Sequence, residues 1–292
     1  MKFCNIASGS KGNATFVYTD NTLVLIDVGI SYKALVKQCK DVGIDLSRLD
    51  AICITHEHSD HIKGLKTLSN ELDVPIYMNP KSYNALKQKV GDILHVQEEE
   101  FVHPLQIKDL EISAFRHTHD AAYTQGFDLT DGKKRLVMAT DLGKVTPAIY
   151  KRMQGADYLY IESNYDMQSL INGPYPQYLK SRINGQLGHL CNSESAYTIK
   201  NLVQEGSKRF MLAHLSETNN TTELAKNTLL SALNEIKVKE MDIDLKIADQ
   251  YIPSEVIEIW WKITHHFLQI DQIELYMCTM EHQIILLRLS CN

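Results

Sequence analysis

The stretch Thr55-His56-Glu57-His58-Ser59-Asp60-His61 constrains this chain more than any other. It follows an apolar, β-branched segment at 49–55 that reads as a buried strand. It precedes a segment at 62–72 whose Ile62, Leu65, Leu68 and Leu72 recur at helical spacing. Three imidazoles and a carboxylate therefore crowd one strand-to-helix turn. In extended backbone His56 and His58 project to the same side and can share one metal ion. Asp60 and His61 stand where the chain turns into the helix and can face a second ion. Imidazole and carboxylate suit Zn²⁺ or Mn²⁺. A histidine-rich surface turn is the bland alternative, and the apolar strand in front of the motif argues against it.

The rest of the chain alternates strands and helices. Strands are predicted at 2–7, 15–19, 23–27, 49–55, 74–78, 110–117, 125–129, 135–139, 158–162, 209–215 and 244–248. Helices are predicted at 31–39, 62–72, 82–90, 147–153, 193–204 and from 220 to about 236, the last opened by an Asn220–Glu223 capping box. Both halves place strands in blocks with helices outside them. That pattern predicts an α/β (α+β) fold of two face-to-face sheets covered by helices, an αββα sandwich of four layers. No low-complexity linker interrupts the chain, so 1–257 reads as one domain. Residues 258–292 read as a C-terminal extension of unknown role, without Gly or Pro and with both tryptophans.

With 44% apolar and 23% charged residues over 292 positions, disorder, collagen and coiled coil are excluded for the whole chain. No apolar run approaches the ~18–20 residues of a membrane span, and no export signal is expected at the start. Six scattered cysteines without a CxxC pair predict reduced thiols and a cytoplasmic location. A net charge of −6 argues against a generally basic nucleic-acid coat, though not against a local basic groove. No membrane partner is expected, and no feature of the chain points to an oligomeric state.

Several segments, in order, extend the histidine motif: ASGSKGNAT, LIDVG, THEHSDHIKG, HTHDA, ATDLG, ESNYD, NGPYPQYLKSRINGQLGHLCNSESA and LAHLSETNN. Together they resemble the metallo-β-lactamase superfamily over about 1–257, and most closely its YycJ/WalJ-type branch of small metal-dependent hydrolases. The resemblance implies the remaining ligands. His119 matches the third ligand of the first metal better than His117, which is expected at the site rim. Asp141 matches a bridging carboxylate, and His214 matches the last ligand. The first ion would then take His56, His58, His119 and Asp141. The second would take Asp60, His61, His214 and Asp141. Diiron relatives that reduce oxygen carry glutamate where this chain has His58, so a redox role is not expected. Glu57 is expected to point away from the metals into a salt bridge.

Two divalent ions, Zn²⁺ or Mn²⁺, bridged by a carboxylate and a water turn that water into hydroxide near neutral pH. Their charge also makes the pocket attractive to anions. Gly188-His189 resembles the glycine-histidine motif of β-CASP nucleases. His189 is therefore a candidate general acid or phosphate ligand, and the helix start at Ser193 a candidate phosphate site. Ser10, Gly12 and Asn13 are candidate donors to a terminal phosphate. The segment between Asp141 and His214 is too short for a β-CASP cap, and none is expected. A loop at 172–186 would border the site with Tyr175, Tyr178, Lys180 and Arg182, residues suited to stacking bases and contacting phosphates. The expected activity is a dinuclear phosphodiesterase, a 5′-exonuclease on DNA with RNA as a further substrate. A metal-bridged hydroxide would attack the phosphodiester, with Asp60 and His189 catalytic. The branch implies a link to DNA repair. The alternative is a thioester or lactone hydrolase of the glyoxalase II type.

Overall fold

A computed structural model describes residues 1–259. Apart from its first two positions, the expected extension at 258–292 lies outside the described residues. The first sheet contains β1 (Lys2–Ala7), β2 (Ala14–Tyr18), β3 (Leu23–Ile26), β4 (Ala51–Cys53), β5 (Ile76–Met78) and β6 (Val96–Glu98). The second contains β7 (Leu105–Ile107), β8 (Leu110–His117), β9 (Thr124–Thr130), β10 (Arg135–Ala139), β11 (Tyr158–Glu162), β12 (Arg209–Ala213) and β13 (Asp244–Ile247). β14 (Ile257–Glu258) returns to the first sheet beside β1, with Lys2 opposite Glu258. The strand orders are β14-β1-β2-β3-β4-β5-β6 and β13-β12-β11-β10-β9-β8-β7. Helices α1 (Tyr32–Val42), α2 (Ser59–Ile62), α3 (Leu65–Glu71) and α4 (Pro80–Val90) belong to the first half. The second half has α5 (Pro147–Met153), α6 (Met167–Asn172), α7 (Gln177–Ile183), α8 (Asn192–Gln204) and α9 (Thr222–Asn234).

Alternation along the strands builds the layers. Phe3, Val17, Val24 and Ile26 face Phe127, Met138, Tyr158 and Met211 in the core between the sheets. The intervening Phe16, Leu25 and Ile52 pack outward on Leu35, Leu65 and Leu86 of the helices. Val137, Leu159 and Phe210 pack on Ile149, Ile199 and Leu229 in the same way. Central strands buried on both faces read as continuous apolar runs, which is why the sequence shows them clearly. The four αββα layers are those expected.

Three local expectations change. The helix at 62–72 breaks at Gly64 and starts earlier, at Ser59, so Asp60 and His61 are helical. Gly64 lies against the chain, where a Cβ would come within 2.2 Å of the Ile30 carbonyl. Thr221, not Asn220, caps α9: its hydroxyl accepts from the Leu224 amide at 3.1 Å. The Asn220 amide instead donates to the carbonyls of Ser163 and Asn164. The expected loop at 172–186 contains α7. Strands β6, β7 and β14, of two or three residues, are too short to show alternation.

Candidate metal centre

Strands β3, β4, β8, β10, β11 and β12 end at one edge of the sandwich, and polar residues at or just beyond their ends converge there. Donor atoms of His56, His58 and His119 lie within 4.8 Å of one another, and so do those of Asp60, His61, Asp141 and His214. Asp141 stands between the two groups. Its Oδ1 is 3.6 Å from His119 Nε2 and 3.5 Å from His214 Nε2, and its Oδ2 is 3.2 Å from His61 Nε2. Asp60 Oδ2 lies 3.5 Å from His61 Nε2 and 3.6 Å from His214 Nε2.

The rings are oriented through their other nitrogens. Nδ1 of His56 meets Thr55 Oγ1 at 3.0 Å, and Nδ1 of His61 meets Asp27 at 2.7 Å. Nδ1 of His119 donates to the Gly188 carbonyl at 3.0 Å, and Nδ1 of His214 to Glu162 at 3.1 Å. Such anchoring turns Nε2 of each ring toward the cluster, where that of His61 also meets Asn13 Nδ2 at 3.1 Å. Among the described residues, the buried Nε2 atoms of His56 and His214 and the Oδ2 of Asp141 have no hydrogen-bond partner. Unpartnered buried lone pairs are costly, and converging imidazoles and carboxylates fit a divalent cation as the missing partner.

Backbone geometry helps to aim these groups. Asp27, Asp141 and His214 have φ of 62°, 56° and 56°, the left-handed region that side chains rarely adopt. Each follows a strand end, and the turn carries its side chain into the cluster. The strain is held by cross-sheet bonds: the His214 amide donates to Ser8 Oγ at 2.9 Å, which also accepts from Tyr160 OH at 2.9 Å. Gly29 allows the close approach beside Asp60, where a Cβ would sit 1.7 Å from the Asp60 carbonyl.

Burial alone would raise the Asp60 carboxyl, but His61 and His214 hold it well below the usual carboxylate range. Burial pushes both imidazoles down, yet the surrounding carboxylates win. Asp141, Asp27 and Asp60 carry His61 well above its ordinary value, and Asp141, Asp60 and Glu162 raise His214 to about 10. The surrounding carboxylates thus favour a proton on both rings in the metal-free protein, on the lone pair that a cation needs. Titrating metal-free protein with a divalent cation near pH 7 is therefore expected to release protons, with affinity weakening as pH falls. Calorimetry in buffers of different ionisation enthalpy reads this directly. Heats that do not depend on the buffer would show that His61 and His214 are already neutral before the cation binds.

The remaining expected site residues divide. Ser10, His189, Tyr175 and Arg182 border a cavity of about 220 Å³ over the cluster, together with His58, Asp60 and Asp141. Gly12 and Asn13 do not serve as free donors. The Gly12 amide donates to the Gly9 carbonyl at 3.0 Å, and the Asn13 amide to the Asp60 carbonyl at 2.8 Å. The Asn13 side chain closes the same loop on Gly9. Both residues brace the loop against α2. Ser193 lies elsewhere, in a groove between α8 and α9 beside Tyr197 and Lys200. Among the described residues Glu57 makes no salt bridge: its Oε1 accepts from the Ala122 amide at 2.7 Å. His117 is buried rather than at the rim. Lys180 donates to the Ile171 carbonyl, and Tyr178 is exposed away from the cavity.

Glu162 is the residue that sequence reasoning missed. Fully buried at the end of β11, it accepts from the amides of Leu142 (2.7 Å) and Leu190 (3.0 Å) and from His189 Nδ1 (2.7 Å) and His214 Nδ1. Burial would raise its carboxyl, but the His189 and His214 rings bring it down to about 2. Its signal was an acid closing an otherwise apolar strand, as Asp27 does just after β3.

The family model of the beta-lactamase superfamily domain matches residues 22–215. The chain belongs to the metallo-β-lactamase superfamily. Within it, the chain is similar to curated proteins of the YycJ/WalJ branch. The chain is 35% identical over 239 residues to exodeoxyribonuclease YycJ of Bacillus anthracis, a match covering 80% of this chain and 90% of that protein. It is 32% identical over 253 residues to exodeoxyribonuclease WalJ of Streptococcus pneumoniae, covering 85% and 94%. Two solved structures share the fold. The metallo-β-lactamase fold protein YhfI from Bacillus subtilis matches at TM-score 0.66 and 17% identity, over 87% of this chain and all of that one. Human tRNase Z, short form, matches at TM-score 0.60 and 17% identity, over 89% of this chain and all of that one.

Proposed function

We propose that this chain is a metal-dependent exodeoxyribonuclease working from the 5′ end. His56, His58, His119 and Asp141 would hold one divalent ion, and Asp60, His61, His214 and Asp141 a second, as Zn²⁺ or Mn²⁺. The observation that carries this reading is the convergence of anchored rings with unpartnered Nε2 atoms on Asp141. The relatives named as exodeoxyribonucleases support DNA as the substrate. When bound, the ions supply Lewis acidity and a water acidic enough to act as nucleophile.

The chain's own residues do the rest. Asp60 and Asp141 would offset part of the charge of the bound ions. His189 Nδ1 donates to Glu162 at 2.7 Å, which fixes the ring and leaves Nε2 uncommitted. The imidazolium form of the ring would donate from Nε2 to a phosphate or a leaving oxygen. Ser10 and Arg182 border the same cavity and suit a phosphate oxygen, while Tyr175 offers a face for a base. No helix among the described residues is long and apolar enough to cross a membrane. The four described cysteines are buried free thiols, which fits a reducing, cytoplasmic compartment.

The test incubates protein loaded with Mn²⁺ or Zn²⁺ with 5′-labelled single- and double-stranded DNA and RNA. S-lactoylglutathione and a lactone are run alongside. Release of labelled mononucleotides from DNA is expected, with the thioester and lactone untouched. Thioester turnover with intact DNA would overturn the reading.

A further inference from the structure

Two successive residues after β8 tie it to the chain that runs from α7 to α8. Nδ1 of His119 donates to the Gly188 carbonyl at 3.0 Å, and Asp120 accepts from Arg182 Nε through Oδ2. The first tie orients a candidate metal ligand. The second joins that ligand's neighbour to an arginine that borders the cavity over the cluster. Asp120 also reaches the cluster with its other oxygen. Its Oδ1 lies 3.4 Å from His119 Nε2 and 4.0 Å from His58 Nε2.

As a stabilising contact this pair contributes little. The Arg182 side chain is 53% exposed, and ion pairs in contact with solvent are weak. The end of α7 is held by other bonds. The His189 amide donates to the Ile183 carbonyl at 2.9 Å, and the Tyr165 hydroxyl to Asn184 Oδ1 at 2.7 Å. What the pair fixes is the guanidinium itself. A free arginine has wide rotamer freedom and must be ordered before it can grip an anion. With Nε committed to Asp120, the planar fork is held by one edge. Among the described residues nothing accepts from its Nη1 or Nη2. Such paired donors in one plane match two oxygens of a phosphate. The same cavity of about 220 Å³ is bordered by Asp60, Asp141 and His189, so a phosphate that reached the proposed ions would lie beside Arg182.

We propose that Asp120 is a positioning residue for substrate. It holds the Arg182 guanidinium in place at the cavity wall, so that Nη1 and Nη2 donate to non-bridging oxygens of the substrate phosphate. The proposal rests on the exonuclease reading above, because that reading puts a phosphodiester in this cavity. Asp120 acts only through Arg182, and Arg182 is the group that touches the phosphate.

The test measures binding of inorganic phosphate to the metal-loaded protein by calorimetry, beside thermal melts and decay of 5′-labelled DNA. Arg182→Ala is expected to weaken phosphate binding roughly 10- to 100-fold, the range for hydrogen bonds to a charged group. Asp120→Asn keeps the shape but loses the charge that holds the guanidinium. It should weaken binding roughly 2- to 10-fold, the cost of ordering a freed side chain. Melting temperatures should fall by no more than about 4 °C. In an Arg182→Ala background, Asp120→Asn should add nothing; a further loss there means that Asp120 acts by another route and overturns the proposal. Variants that melt lower yet bind phosphate like wild type reduce the pair to a structural tie and also overturn it. So does tighter phosphate binding by Asp120→Asn, because the carboxylate would then only repel the anion. Each of these results leaves the nuclease reading intact if wild-type protein degrades DNA. Wild-type protein that degrades no DNA but shows the expected phosphate pattern defeats the nuclease reading and keeps the role of Asp120.

Discussion

Asp141→Ala is expected to lower DNA hydrolysis by about 10³-fold or more, the scale of losing metal-assisted charge stabilisation. One oxygen of this carboxylate faces His119 and His214, and the other faces His61. No other side chain in the cluster stands between both groups, so its removal weakens both proposed ion sites at once. Alanine also removes the carboxylate that offsets the raised His61 and His214 rings, so the metal-free variant should be less stable at neutral pH. Single-turnover decay of 5′-labelled DNA, with metal content measured on the same sample, checks this. A variant that keeps its metals and cuts within tenfold of wild type would show that Asp141 does not hold the ions.

Glu162→Gln should cost more stability than any other conservative change at this site. Oε1 takes two imidazole donors and Oε2 takes two backbone amides. An amide of the same shape keeps one oxygen and turns an NH₂ group toward two donors. Breaking a buried, charge-assisted set of this kind costs roughly 3–5 kcal/mol. For a domain of this size that lowers Tm by roughly 6–20 °C. Because Glu162 orients both His189 and His214, activity should also fall roughly 10- to 100-fold. The pH dependence carries a sign. The carboxyl is depressed from 4.5 to about 2 in the folded protein, so its contribution is full above about 4.5 and is lost as pH falls toward 2. Thermal melts from pH 7 to 3 should show the wild type losing its advantage over the variant only at the acid end. A variant that melts within a couple of degrees of wild type at pH 7 would mean that the four bonds carry little.

Much of the site was legible in the chain because it is written locally. His56 and His58 share a side through the period of a strand, and Asp60 and His61 follow at its mouth. Asp141 and His214 each stand just past an apolar run and His119 just past an alternating strand, where the strand ends and a polar group can turn inward. Half of the twelve histidines belong to the proposed site, and the apolar strands around them are long enough to be read by pattern. The net charge of −6 said little about nucleic acid, because charge at a site is set by what gathers there.

What the chain alone could not decide is which groups meet across the sheets. Gly12 and Asn13 looked like phosphate donors, yet their amides close on Gly9 and Asp60 once α2 packs beside them. Ser193 opens α8 as expected but borders another groove, because helix placement depends on packing rather than on propensity. Glu162 gains its importance only when strand order brings His189 and His214 to the end of β11, and Ser8 meets the His214 amide 206 positions away. Periodicity reports what is buried nearby along the chain. Hydrogen bonds between distant segments depend on sheet order and register, and these exist only once the fold has formed. The sequence by itself therefore determined the layers and the set of candidate metal ligands, and the tertiary structure decided which side chains hold those ligands in place.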